Sequence, residues 1–107
     1  MITYNDFKML DLRVAMIKSV ENHPGADKLY VMKIDVGGGE ERQIIAGLRP
    51  YYQPEQLQGK KIVIVYNLQP AMLRGMESNG MLLAAQAGDQ VVILTPERDI
   101  PPGSKVL

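Results

Sequence analysis

The sequence predicts an all-β fold, and three observations carry that prediction. Short apolar runs with a period of two recur along the chain. Gly and Pro clusters separate them, and helical patterning never extends beyond a turn or two. The chain has 107 residues with a hydrophobic fraction of 46%, enough to bury one core in one domain spanning residues 1–107.

The elements follow in order. Asn5 or Asp6 is positioned to cap a short helix carrying Phe7 and Leu10. Leu12 to Val20 reads as the first strand. Its apolar positions run Leu12, Val14, Met16 and then slip to Ile17 and Val20, which implies a bulge or a long bent strand that serves two sheets. His23-Pro24-Gly25-Ala26-Asp27 is a turn. Leu29 to Val36 alternates, with Tyr30, Met32, Ile34 and Val36 on one face and Lys33 and Asp35 on the other. Gly37-Gly38-Gly39-Glu40 turns the chain into a third strand, Arg42 to Ala46, forming a hairpin.

Gly47 to Lys60 is a connection with one helical turn at Pro54 to Leu57, where proline suits the first helical position. Lys61 to Tyr66 is β-branched and almost wholly apolar, the pattern of a strand covered on both faces. Asn67 to Gly80 then reads as a polar loop leading to strands at Met81 to Ala85 and Val91 to Leu94. The proline-rich tail, Pro96 to Leu107, is extended. Early hairpin pairing with a small helix before a later strand favours a five-stranded Greek-key OB barrel with a helical start and a C-terminal extension. An SH3-like barrel is the alternative.

Composition excludes several functions. There is no cysteine, so disulfides, thiolate metal sites and thiol nucleophiles are absent and a reducing compartment is natural. No apolar run approaches the length of a membrane span, and no signal peptide opens the chain, so the expected location is the cytoplasm. His23 is the single histidine, and no serine sits in a nucleophile-elbow pattern. Glu21, His23 and Asp27 are close in sequence but lack a metal-site spacing, and the Gly37 turn lacks the GK[ST] of a phosphate loop. No metal or cofactor is expected.

Binding to a charged polymer fits better. Lys plus Arg and Asp plus Glu both number 12. A neutral chain grips nucleic acid only through a local basic patch, so binding is expected to be weak and salt-sensitive, roughly 10⁻⁴ to 10⁻⁶ M if non-specific. Such a module gains from a tether or a twin. The candidate cations are Lys28, Lys33, Arg42, Lys60, Lys61 and Arg74; Lys28 directly follows a turn and Arg74 sits at a loop tip. Tyr30 and Tyr66 fall on inward faces, and one of Tyr51 and Tyr52 is expected to pack beneath the connection. Gly80 allows another segment to approach the backbone beside Met81.

Four segments resemble one family: DLRVAMI (Asp11 to Ile17), HPGADKLY (His23 to Tyr30), Ile44 to Ala85 with its NLQPAMLRGMESNGM run, and PPGSKV (Pro101 to Val106). Together they resemble the tRNA-binding domain of methionyl-tRNA synthetases, found as a C-terminal domain or β subunit. They are also similar to a free-standing dimeric tRNA-binding protein and to the cytokine-precursor domain of animal synthetase complexes. The resemblance implies an OB fold, no catalysis, a homodimer, and binding to the corner and outer surface of tRNA by shape. The catalytic part of the synthetase would supply specificity. The resemblance places RNA contacts at Lys28, Ser78 and Met81, with Asn67 beside them and Arg42, Lys60 and Arg74 as weaker carry-overs. Met16 stands where relatives carry lysine, and Ala71-Met72 where a basic residue is common, which shifts weight to Arg74. A related OB branch holds peptide-binding, chaperone-like proteins that share DLRVA and YYxPExLxGK. It lacks the intact ADKLY and ESxGM set present here.

Overall fold

The computed structural model describes residues 1–107. A short helix, α1 (Tyr4–Phe7), precedes β1 (Leu12–Asn22), β2 (Tyr30–Asp35) and β3 (Glu41–Ala46). After α2 (Pro54–Leu57) come β4 (Lys61–Val65), β5 (Ala71–Leu73), β6 (Met76–Ser78), β7 (Met81–Leu82), β8 (Ala84–Ala87), β9 (Gln90–Ile93) and β10 (Lys105–Val106). The main sheet runs β3-β2-β1-β4-β7, with β10 pairing β1, and it curls into an OB-like half-barrel. No helix is long and apolar enough to cross a membrane.

β1 is the long bent strand that its slipped pattern predicts. Its first part, Leu12 to Met16, pairs with β4, and Met16 to Asn22 pairs with β2. The register shifts between Ile17 and Ser19, so Lys18 is the extra residue. The shift puts Ile17 and Val20, three residues apart, against the same core, which strict alternation forbids, while Val14 is buried on the other face beneath the tail. Ile17, Met32, Ile34, Ile44, Leu57, Ile62 and Ile64 are the largest fully buried side chains, each stabilising the fold by roughly 1.5–3 kcal/mol. Leu57 is the one residue of α2 that plugs this core.

Several boundaries differ from the sequence reading. The N-cap of α1 is Thr3, not Asn5 or Asp6. The Thr3 hydroxyl accepts from the Asp6 amide at 3.2 Å, and the Asp6 carboxylate accepts from the Thr3 amide at 3.0 Å. Met81 to Ala85 is two strands, with Leu83 as the junction: its amide bonds the Val63 carbonyl of β4, and its carbonyl accepts from the Leu94 amide beyond β9. β8 leaves to form a separate hairpin with β9. The polar loop holds a hairpin of its own, β5 to β6. Tyr66 packs against the core but is only half-buried, whereas Tyr30 is fully inside as expected. Tyr52 packs under its connection, its hydroxyl accepting from the Ile93 amide at 3.1 Å.

The tail is held rather than merely extended. Val14 and Gly103 exchange backbone bonds with Ser104 and Val14, and Lys61 donates to Asp99 at 2.6 Å. Pro102 and Gly103 lie directly on Gly37. A Cβ at Gly37 would stand 2.6 Å from the Pro102 carbonyl oxygen, and φ there is +88°. Gly38 has φ +63° but open space around it. Gly37→Ala is therefore expected to lose about 2 kcal/mol or more, and Gly38→Ala only about 1. Urea unfolding of the two variants checks this; equal losses would show that the tail contact carries no weight.

Candidate nucleic-acid interface

The site begins where the sheet fails to close by a ladder. Between β3 and the segment Glu77–Gly80, side chains complete what backbone pairing does not. The Ser78 hydroxyl accepts from the Ile45 amide at 2.9 Å and donates to the Gly80 carbonyl at 3.0 Å. The Asn79 amide bonds the Gln43 carbonyl at 2.8 Å, and the Gln43 side chain donates to the Glu77 carbonyl at 2.9 Å. Gly80, at φ +123°, lies so close to β4 that a Cβ would stand 3.4 Å from the Val65 carbonyl oxygen.

This closure leaves an open apolar groove of about 390 Å³. Ile45, Leu48, Leu68, Leu73, Met81 and Leu82 supply its apolar walls, with Gly47, Ser78 and Gly80 among the other lining residues. Met81 is 48% exposed, so its thioether presents apolar surface outward. Lys28 borders the groove at Gly47, where an added Cβ would lie 4.0 Å from the Lys28 carbonyl oxygen. Lys28 is exposed and makes no ion pair. Arg74 is the exposed tip of the β5–β6 hairpin, at φ +52°, also without an acidic partner.

The structure thus brings Lys28, Arg74, Ser78 and Met81 to one region. Ser78 is 5% exposed, and its hydroxyl is fully used in closure. Arg49 joins the region and was missing from the sequence reading. It reaches to 3.5 Å from the Ala26 carbonyl, too long for a strong bond, and stays without an acidic partner. Its signal was the LRP triplet at the exit of β3, read only as a connection.

The remaining predicted residues lie apart. Asn67 spends both ends of its amide on backbone, accepting from the Asp11 amide at 2.9 Å and donating to the Met9 carbonyl at 2.8 Å. It fixes the exit of α1 against the end of β4. Arg42 stacks on Tyr66 at 3.7 Å, with Arg13 on the opposite face at 3.8 Å. Arg42 also donates to Glu40 and to the Tyr66 carbonyl. Lys60 is exposed in a different hollow, lined by Tyr52, Glu55, Gln56, Ile93 and Thr95.

The stack has its own electrostatics. Asp11 takes a forked bond from Arg13, which holds its carboxyl below the usual range despite desolvation. Bonds from the Tyr66 hydroxyl and from Arg42 lower Glu40 likewise. His23 is 3% exposed, and both ring nitrogens are engaged, one with the Gly25 amide and one with the Leu73 carbonyl. No group of three or more His, Cys, Asp or Glu is arranged to hold a metal.

An unpaired basic rim beside an apolar floor, on an OB-like fold, has the form of a binding surface. The chain matches the family of putative tRNA binding domains over residues 12–105, and it belongs to that family. It is a non-catalytic member, related to the C-terminal part of ligases whose catalytic machinery lies elsewhere in their sequence. It is 50% identical over 105 residues to the methionine–tRNA ligase of Pyrococcus furiosus, a match that takes in 98% of this chain and 14% of that protein. The chain therefore spans about one-seventh of such curated relatives. The structure of a MetRS-related protein from Pyrococcus horikoshii superposes with TM-score 0.92 at 32% identity, covering 100% of this chain and 98% of that one. A CsaA chaperone protein from Picrophilus torridus does so with TM-score 0.92 at 37% identity, covering both chains fully.

Both Asp11 and Glu40 have lowered pKa values in the folded state, so the stability they contribute is complete above their unfolded values near 4. It is lost as the pH falls through the lowered folded values. Thermal midpoints from pH 7 down to pH 3 are expected to be level and then to drop below about pH 4. The double variant Asp11→Asn, Glu40→Gln should start lower at pH 7 and fall less steeply. Parallel curves would remove the stack as the source.

Proposed function

We propose that this chain binds tRNA by shape and backbone charge, with little reading of sequence. It would serve the catalytic part of a methionyl-tRNA synthetase, as an appended domain or as a separate subunit in the cytoplasm. The observation that carries this reading is the rim of Lys28 and Arg74 beside the exposed Met81. Two cations without acidic partners flank an apolar surface, whereas Arg13, Lys18, Arg42 and Lys61 are held by carboxylates.

The chemistry divides between them. Lys28 and Arg74 meet phosphates, Arg74 with the additional option of forked contact or stacking on a base. Met81 gives a polarisable surface for a ribose or an unstacked base at the tRNA corner. Ser78 acts through closure, holding Gly80 and Met81 at fixed distance from β3. Asn67 supports the loop's other end. Arg49 adds a third cation. Lys60 and Arg42 contribute through the wider field. With two or three phosphate contacts, affinity is modest, and the synthetase body or a second copy supplies the rest.

Titration with bulk tRNA over a range of salt tests this. Lys28→Ala and Arg74→Ala should each weaken binding and reduce the slope of log K against log salt by about 1. Lys60→Ala should do less. Unchanged slopes in both rim variants would overturn the site.

A second reading has one observation in its favour: the apolar groove, together with the likeness to the CsaA chaperone protein. A peptide-binding, chaperone-like protein would suppress aggregation of an unfolded client without binding tRNA.

Self-association belongs to the same proposal. On β9, Val91 and Ile93 pack against the core, while Val92 and then Leu94 face outward, and Leu107 at the end of the tail is exposed as well. This face is proposed to be covered in a homodimer, doubling the basic rims. Sedimentation equilibrium should give twice the chain mass at micromolar concentration, and Val92→Asp with Leu94→Asp should give the monomer. A monomeric wild type refutes it.

A further inference from the structure

We infer that His23 is a positioning residue, a buried latch whose imidazole locks the Lys28 loop to the tip of the Arg74 hairpin. The inference rests on the tRNA reading for its consequence, but not for its geometry.

The ring bridges two separate segments. On its own loop, Nδ1 lies 2.9 Å from the Gly25 amide nitrogen, and that amide is necessarily the donor. Nδ1 therefore carries no proton. A neutral imidazole then has its hydrogen on Nε2, which stands 3.0 Å from the Leu73 carbonyl oxygen and donates to it. One tautomer satisfies both bonds, and the other satisfies neither. With both nitrogens occupied and the ring 3% exposed, the side chain has no valence left for a metal or an external ligand.

The contact falls where the hairpin has least support. β5 and β6 form a two-stranded sheet outside the main one. Its base is tied to β3 through Glu77, Ser78 and Asn79. At the far end, no other side-chain or backbone bond joins Leu73, Arg74, Gly75 or Met76 to the rest of the molecule beyond the hairpin's own pairing. His23 takes the carbonyl immediately before Arg74. Gly25 also lies beside the hairpin tip, its Cβ position 4.0 Å from the Arg74 carbonyl oxygen. Lys28 is five residues beyond His23, on the same loop. The separation of the two rim cations is thus fixed through one imidazole.

Two conservative substitutions separate the two halves of this role. Asn keeps an acceptor near the Nδ1 position and so preserves the turn, but does not reach Leu73. Gln carries a donor near the Nε2 position and preserves the latch. In wild type, long-range ¹H–¹⁵N spectra should show an unprotonated Nδ1 and a protonated Nε2. In His23→Asn, ¹⁵N order parameters of Arg74 and Gly75 should fall from the rigid range, about 0.85, toward 0.6 while cooperative unfolding persists. Its tRNA affinity should drop about fivefold at unchanged salt slope, the size of one lost hydrogen bond with no lost phosphate contact. His23→Gln should restore affinity. A proton on Nδ1, or unchanged order parameters in His23→Asn, overturns the latch. A wild type that does not bind tRNA removes the function proposed above and this residue's part in it, whereas the spectral readouts still decide the coupling of the loops.

Discussion

The closure between β3 and Glu77–Gly80 is the constraint on which the candidate site depends. A curled sheet that ends in two edges either pairs them or exposes unsatisfied backbone groups. Here a serine hydroxyl stands in for the ladder, satisfying the Ile45 amide and the Gly80 carbonyl at once. Losing it would leave both buried without partners, a penalty of about 1–3 kcal/mol each. The same atom sets the height of Met81 above β3, so fold closure and groove shape are one feature. Ser78, expected at the contact surface, lies inside the wall with its hydroxyl spent on closure. On the proposed reading it holds the groove rather than touching RNA.

A second constraint governs the opposite end. Tyr66 lies between the guanidinium groups of Arg13 and Arg42, each of which is also held by a carboxylate. Two like charges on one ring are tolerated because Asp11 and Glu40 neutralise them. This arrangement joins β1, β3 and the end of β4, while Asn67 fastens α1 beside it. It also consumes basic residues that composition alone leaves available. Of the chain's cations, Arg13, Lys18, Arg42 and Lys61 have acidic partners within 3.0 Å. The zero net charge is thus not evenly spread. Pairing concentrates the unspent charge in the loops.

What the sequence made legible follows from range. The β1 slip, the β2 alternation and the triple-glycine turn are local patterns, and each appears where its residues predict it. The Thr3 cap was missed because a four-residue helix has no apolar period to mark its start, so the capping box alone had to locate it. The β5–β6 hairpin was read as a loop because its strands are three residues each and largely exposed, which leaves no alternation. The fates of Asn67 and Arg42 depend on partners 56 and 24 residues away. Residue type told correctly that these groups are polar and important, but only the fold reveals that their capacity is spent. His23 shows the converse: a lone histidine before proline carries no motif, and its value appears only when Leu73 is brought 3.0 Å from the ring.

These constraints also bear on the proposed reading of weak, shape-based binding. Specific reading of bases requires several donors and acceptors aimed with fixed geometry at base edges. Here the polar side chains with fixed geometry, Ser78, Asn67, Gln43, His23 and Arg42, are bonded to other parts of the chain and stabilise the frame. What remains outward is a lysine ammonium, an arginine at a hairpin tip and a thioether. On the proposed reading, such groups on a rigid frame recognise the spacing of phosphates and the curvature of a surface rather than a sequence. Rigidity then becomes the source of selectivity, because two or three weak contacts discriminate between shapes only if their separation is fixed. On that reading the internal bonds of the two loops are as much a part of recognition as the cations they carry.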